Sequence, residues 1–426
     1  MKRDFTRRDF LRLVSAGTCG AAVHRVLSPR NGMLAFGAPA TLPALGSQAV
    51  LVVVNLAGGC SYNIAPIYHG AYRDKNPTIS YGPENSLILT PDQGVHPSLT
   101  YFKKLYDQGR LAVMNGVAHP QNNRSHAEST ENWFSGIYDG ASATQGGWGA
   151  RLTCQMASVF GGVSLGGSIS LMQGSCNDGR SFGDLSNFGE DQIFWDSRQS
   201  RYLKAYRDQV IANSFVPASN DNLAYVKNAS DNLAASIDAV KSATNVTLPT
   251  SYTEPGDATP TAITFNGGFG ASCRDAAKLI AGTALGVQLI YLEHGGFDTH
   301  QMERNSLPGT LAEVNAGIQA LVLTAKAMGF WNRMVIVTMS EFCRTFENGS
   351  QGTDHGRAAP MFMMGGAISG GVKNMPPSPA QTSGDYYNLM DIDCREPFKH
   401  VVYQMGYDHN KVFPGPINMK NLSLFL

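Results

Sequence analysis

The run Val50-Leu51-Val52-Val53-Val54-Asn55, continued by Leu56-Ala57-Gly58-Gly59, decides the fold. It is apolar at every position before Asn55, and it lacks the polar alternation of a strand with one face in water. A strand with both faces covered, as in the middle of a parallel sheet, has this pattern. The run is also far shorter than the ~20 apolar residues a bilayer-spanning helix needs, and no other run in the chain approaches that length. The two glycines open a loop at the strand's carboxyl end, where loosened backbone lets a ligand or a neighbouring segment come close.

Outward from this strand, helical and extended patterns alternate. A helix is predicted from His96 to Gln108, with Leu99, Phe102 and Leu105 on one stripe. A short strand Leu111–Met114 follows, then a helix starting near Ser125. Residues 191–243 interrupt the rhythm with aromatic-rich helical stretches and Asn/Ser/Ala turns, and are expected to form a helical insertion or cap. The alternation resumes with a helix from Cys273 to Gly286, a strand Val287–Leu292, a helix Pro308–Met328, a strand Met334–Met339 and a last helix from Pro397 to Met405. An α/β fold follows from this order: a doubly wound, mainly parallel sheet sandwiched by helices.

The chain begins with a different kind of segment. Thr6-Arg7-Arg8-Asp9-Phe10-Leu11, a modest apolar stretch and the small-residue exit Ala38-Pro39-Ala40 read as a twin-arginine export signal. Residues 1–40 are therefore set apart as signal and linker, with the α/β domain over 48–426. The expected partner during export is the twin-arginine translocase, and the expected destination is the periplasm or the exterior. The 33 basic and 33 acidic residues cancel, but the first 40 hold 7 Lys/Arg and 2 Asp/Glu, leaving 26 against 31. A mildly acidic remainder with no basic run gives no footprint for nucleic acid. Cys60, Cys154, Cys176, Cys273, Cys343 and Cys394 have no CxxC spacing and do not read as a metal cluster, while an oxidising compartment leaves disulfides open.

Chemistry-bearing residues gather after the later strands. Glu293-His294-Gly295-Gly296-Phe297-Asp298-Thr299-His300 follows one strand, and an extended backbone there turns Asp298 and His300 towards one cavity. The alternative is a turn in which Asp298 caps the next helix. Ser340-Glu341-Phe342-Cys343-Arg344-Thr345, then Thr353-Asp354-His355-Gly356, follows the next strand. Ligands bind outside the carboxyl ends of strands in open α/β sheets, so Asp298, His300, Glu341, Asp354 and His355 are candidate ligands of one metal ion. The alternative pairs Glu341 with Arg344 and leaves Asp354-His355 in a polar turn. Asn123-Arg124-Ser125-His126 enters a helix, where Ser125-x-x-Glu128 reads as a capping box; it is the resemblance described next that makes Ser125 and His126 candidate catalytic residues.

Together these motifs resemble those of a known superfamily. Asp354-His355-Gly356 looks like the metal signature of alkaline phosphatases, sulfatases and cofactor-independent phosphoglycerate mutases, and Gly296-Phe297-Asp298-Thr299-His300 resembles their preceding ligand loop. With the twin-arginine start, Ser-Glu-Phe-x-Arg-Thr and Arg-Ser-His, the likeness is closest to an exported, uncharacterised family within that superfamily. It covers nearly the whole chain after residue 40. It implies an α/β/α sandwich with a divalent metal (Zn, Mn, Ca or Mg), Ser125 as nucleophile, and Arg344 steadying the oxygens of a phosphate or sulfate ester. This chain departs from the pattern in the first loop, Asn55 to Asn63, which lacks the Asp its relatives carry. A late histidine ligand is also unassigned, since His400 falls within a helix. Two functions are compatible with these features. One is a metal-dependent hydrolase of a small or glycan-linked ester. The other is a catalytically degenerate binding or assembly protein of the same fold.

Overall fold

The structure is a computed structural model and describes residues 45–426 other than 47, 139–145, 159, 175–179, 184, 186–238, 388–389 and 418. The main strands are β1 (Val50–Leu56), β2 (Leu111–Ala118), β3 (Gly162–Leu165), β4 (Arg180–Phe182), β5 (Leu289–His294), β6 (Met334–Met339), β7 (Arg344–Glu347), β8 (Thr353–His355), β9 (Ala359–Gly365), β10 (Gly371–Val372) and β11 (Ile392–Asp393). The helices that matter are α1 (Thr100–Asp107), α2 (His126–Ser135), α3 (Trp148–Thr153), α4 (Gly267–Ala281), α5 (Glu303–Ala327) and α6 (Arg395–Gln404).

β1 is buried at all seven positions, and its side chains alternate between two cores. Val50, Val52, Val54 and Leu56 pack into a cluster built from α1, α4 and α5, whereas Leu51 and Val53 join one built from α2, α3 and α6. Each of these valines and leucines contributes about 1.5–3 kcal/mol relative to exposure, which fixes β1 in the middle of the sandwich. The sheet runs β10-β2-β9-β6-β1-β5-β3-β4, with β11 also on β2. β1 is parallel to β6 and β5, and β3 is parallel to β5 and β4; β9 alone runs antiparallel, between β6 and β2. The fold is the α/β sandwich with a mainly parallel sheet that the sequence pattern implies, and β2, β1, β5, β3 and β6 all end on one edge.

Element boundaries differ from expectation for identifiable reasons. β2 continues through Asn115-Gly116 to Ala118 because the buried Asn115 exchanges side-chain hydrogen bonds with Gln93 (2.8 and 2.9 Å) and Tyr62 accepts from the Gly116 nitrogen (3.0 Å). α5 begins at Glu303 and takes Pro308 into its second turn rather than starting there. α4 starts at Gly267, before the expected Cys273. Most of the expected insertion, residues 191–238, and the expected signal segment lie outside the described residues; residues 239–244 are helical. Cys154 is disulfide-bonded, whereas Cys60, Cys273, Cys343 and Cys394 are buried free thiols. No helix among the described residues is long and apolar enough to cross a membrane.

Candidate metal centre

Four segments meet at the carboxyl edge. β5 runs out into Gly295–His300, where Asp298 and His300 are exposed while Thr299 between them is buried, the alternation an extended chain imposes. Gly58, at φ +122°, lies directly beneath this loop, and a Cβ on it would stand 2.3 Å from the Asp298 nitrogen, so only glycine serves there. His126 opens α2. His355 ends β8, which pairs antiparallel with β7 in a hairpin that sets Arg344 opposite His355.

Asp298 Oδ1 is the point of convergence. The Nε2 atoms of His300, His355 and His126 stand 3.0, 3.3 and 3.5 Å from it. His300 Nε2 and His355 Nε2 are 3.1 Å apart. On the far side of each ring, Nδ1 meets an acceptor: Glu341 Oε1 at 2.8 Å for His126, Asp354 Oδ1 at 2.8 Å for His300, and the Arg124 carbonyl at 2.9 Å for His355. Each ring thus faces an acceptor at both nitrogens, Asp298 at Nε2 and the outer group at Nδ1; with the proton given to the outer acceptor, Nε2 presents a lone pair. Two lone pairs facing each other at 3.1 Å repel unless a proton or a cation lies between them. Atoms bonded ~2.0–2.1 Å from one tetrahedral ion stand about 3.3 Å apart, and the observed spacings from 3.0 to 3.5 Å bracket that value. His126, Asp298 and His355, whose ligand atoms all lie within 4.8 Å of one another, therefore fit a divalent ion, and His300 stands close to Asp298 and His355 beside them.

Charge reinforces the geometry. Burial works to raise the Asp298 carboxyl, but the Arg344 guanidinium, His300 and His126 outweigh it and hold it below the ordinary carboxylate value. Asp354 is likewise held low against its partial burial by hydrogen bonds from His300 and Asn348. Partial burial lowers the His355 imidazole, and His126 and Arg344 push it the same way, so the ring stays neutral and free to ligate at pH 7. Its face rests on Phe342 at 4.8 Å between centroids.

The expected residues thus take distinct places. Asp298, His300 and His355 come together at one point, and His126, expected as catalytic, stands among them at a spacing that suits a metal ligand. Glu341 and Asp354 stand behind His126 and His300 as orienting acceptors, the arrangement that fixes a metal-binding imidazole's tautomer and direction. Glu341 does not pair with Arg344; it also accepts from the Gly58 nitrogen at 2.8 Å. Arg344 is fully buried and directs four of its five N–H donors to Asp298, the Gly58 carbonyl, and the Thr353 carbonyl and hydroxyl. It positions Asp298 rather than reaching outward. Ser125 is the N-cap of α2 but makes no side-chain capping bond, so the capping box is not formed. Asp298 caps no helix, because the N-cap of α5 is Met302.

The first loop is held by a buried contact that the sequence did not reveal. Ser61 and Asn63 donate to Glu303 Oε1 (2.6 and 2.8 Å), and Thr299 and Thr353 donate to Glu303 Oε2 (both 2.7 Å). This fully buried carboxylate ties the first loop to both ligand-bearing loops. The sequence pattern, which starts this helix at Pro308, gives Glu303 no signal, and even at the observed helix start an acidic residue ordinarily means no more than a favourable first turn. The Arg124 carbonyl reaches His355 because Arg124 adopts φ 68°, a left-handed conformation that a sequence motif does not announce.

Residues 186–420, more than half of the chain, match the family described as "Protein of unknown function (DUF1501)". No curated protein matches the chain. Among solved structures, Ps i-CgsB in complex with k-i-k-neocarrahexaose is similar at 12% identity over 86% of this chain and 74% of that one, with a TM-score of 0.41. The alkaline phosphatase of the Antarctic bacterium TAB5 aligns at 12% identity over 84% and 99% (TM-score 0.33). The PsFucS1 sulfatase of Pseudoalteromonas sp. aligns at 12% over 88% and 75% (TM-score 0.34).

Proposed function

The chain belongs to the DUF1501 family, and from that premise we propose that it is a metal-dependent hydrolase of phosphate or sulfate esters, exported by the twin-arginine route to work in the periplasm or beyond. The observation that carries the chemical part is the set of three imidazole Nε2 atoms gathered on Asp298 Oδ1, each ring oriented from behind. His126, His300, His355 and Asp298 would hold the ion. Three nitrogens and one carboxylate suit Zn or Mn better than Ca or Mg, which prefer oxygen shells. When bound, such an ion polarises the ester oxygens and lowers the pKa of a hydroxyl or water beside it.

The remaining work falls to the chain. Arg344, Gly58 and the Glu303 knot hold Asp298 and the two ligand loops in register, so the ligands need no rearrangement. Ser125 adjoins His126 at the N-terminus of α2, where the helix dipole favours developing negative charge. We assign its hydroxyl oxygen the attack on phosphorus or sulfur: the new bond to Ser125 replaces the bond to the ester alcohol, which leaves with the serine proton, and water then cleaves the seryl ester to release phosphate or sulfate.

A second reading, a binding or assembly protein that keeps the ion but has lost turnover, is favoured by one observation: Arg344 is committed inward and offers little to a substrate. Metal analysis of the purified chain, followed by assay on p-nitrophenyl phosphate and p-nitrophenyl sulfate, separates the two. Stoichiometric metal with hydrolysis abolished in Ser125→Ala supports the hydrolase. Stoichiometric metal with no turnover across an ester panel supports the binding role, and a chain that takes up no divalent ion refutes both.

A further inference from the structure

Beside His126 the same sheet edge opens into a cleft of about 860 Å³, a size that holds a small-molecule ligand. One wall is the outer face of α2, with Thr130 and Glu131. The opposite wall is the loop after β3, with Ser168, Ser170 and Gln173, and Glu293 at the end of β5 closes the floor. No Lys or Arg appears among the described lining residues, although the cleft adjoins a site suited to an anionic ester.

Glu293 is held in place from below. Tyr291 donates to its Oε2 at 2.6 Å, and the buried Asn55 donates to the same oxygen at 3.2 Å. Both bonds fall on Oε2, which fixes the carboxylate while Oε1 keeps its acceptor capacity. Gly167 permits this packing: a Cβ there would stand 2.7 Å from the Tyr291 ring and 2.9 Å from the Glu293 side chain. The β3 loop is shaped by its own serines, with Ser164 donating to the Gly167 and Ser168 carbonyls. The result is a fixed acceptor facing a space lined by a mixture of hydroxyls, an amide, backbone glycines and the apolar Ala127 and Phe134.

We propose that this cleft binds a group rich in hydrogen-bond donors and free of negative charge, a polyhydroxylated or ammonium-bearing moiety, with Glu293 as its anchor. Two carboxylates, Glu131 and Glu293, with no Lys or Arg among the described lining residues, attract hydroxyl and ammonium donors and repel a second anion. Resting on the hydrolase reading, the moiety is the alcohol side of the ester, and its anionic end lies over the three histidines.

Calorimetric titration of the full metal-loaded chain with maltose, glucosamine and glucuronate tests the assignment without turnover. Maltose or glucosamine binds, glucuronate binds at least about tenfold more weakly, and Glu293→Gln weakens the favoured ligand by about tenfold, the value of one hydrogen bond to a charged group. Glucosamine above maltose identifies an ammonium ligand, and parity identifies a polyol. Glu131→Lys, on the exposed wall, is a second variant that spares the packed floor and narrows the gap between glucosamine and glucuronate. Glucuronate binding as tightly as glucosamine, no effect of Glu293→Gln, or no binding of any probe at millimolar concentration overturns the proposal. An inert ester panel would leave these titrations standing, and a cleft that takes no probe would leave ester hydrolysis standing.

Discussion

Two charged clusters in this molecule look alike in composition and differ in completeness. On the α1–α5 side, Glu254 is almost fully buried between Lys104, at 2.8 Å, and Lys326, while Lys104 also reaches Asp257 at 2.7 Å. Two carboxylates meet two ammonium groups, and Tyr101 adds a hydroxyl at 3.3 Å. At the carboxyl edge, among the described residues, Arg344 is ion-paired with Asp298 alone of Asp298, Glu341 and Asp354, three imidazole Nε2 atoms converge on Asp298, and those of His300 and His355 stand 3.1 Å apart. The first cluster balances itself with side chains. The second is balanced only when something positive enters, and that difference separates a structural network from a candidate site.

Substitutions at the two clusters should therefore be read out by different experiments. The largest effect is expected from Asp298→Ala or His300→Ala, which remove a ligand: affinity for Zn or Mn, measured by competition with a chromophoric chelator, should fall by more than about a thousandfold. Stability of the metal-free chain should barely change in His300→Ala, whose side chain is exposed, whereas Asp298→Ala also leaves the fully buried Arg344 guanidinium without its carboxylate and should destabilise the chain. Retained stoichiometric metal in either variant would dissolve the contrast. Glu254→Ala should do the reverse, costing about 3–5 kcal/mol in urea unfolding because two ammonium groups lose their buried partner, and leaving metal affinity as it was. A loss of metal affinity in Glu254→Ala would mean that the two clusters are coupled.

How far each cluster was legible follows from the range of its contacts. The fold was readable because β1 and β6 carry uninterrupted apolar runs whose length and branching are local properties. The loops that converge were readable as candidates because Asp298 and His300, like Asp354 and His355, sit close together in sequence after a predicted strand; Asp354 and His355 themselves lie in β8. The division of labour was not. Glu341 and His126 are 215 positions apart and meet only because β6 and β2 finish on the same edge. Glu303 looks like any first-turn acid until Ser61, Thr299 and Thr353 fold around it. The β2 strand was cut short at Asn115 because the partner that satisfies it, Gln93, is supplied by tertiary structure.

An intermediate effect sharpens the comparison from inside the site. Glu341→Gln keeps the shape and can still meet His126, but removes the charge that raises the ring's basicity. Outer partners of this kind typically account for 10–100-fold in metal affinity, so a drop of about that size is expected, with unfolding in urea little changed. A loss as large as that of Asp298→Ala would make Glu341 a direct ligand, and no loss would leave His126 outside the ligand set.

The smallest effect appears only in acid, and its sign follows from the balanced cluster. Burial alone would raise the Glu254 carboxyl, but the hydrogen bonds and charges of Lys104 and Lys326 outweigh it and hold it below its ordinary value. In the unfolded chain Glu254 titrates near ~4.3, so below that pH the unfolded state takes up a proton that the native state refuses. The stability this carboxylate provides is then fully present above the unfolded value and is lost as pH falls through the lower native one. Urea midpoints measured from pH 6 down to pH 3 should show wild type converging on Glu254→Gln, since the glutamine has no charge to lose. A gap that stays constant or widens in acid would show that the two lysines do not govern Glu254, and the cluster taken here as self-sufficient would need another source of balance.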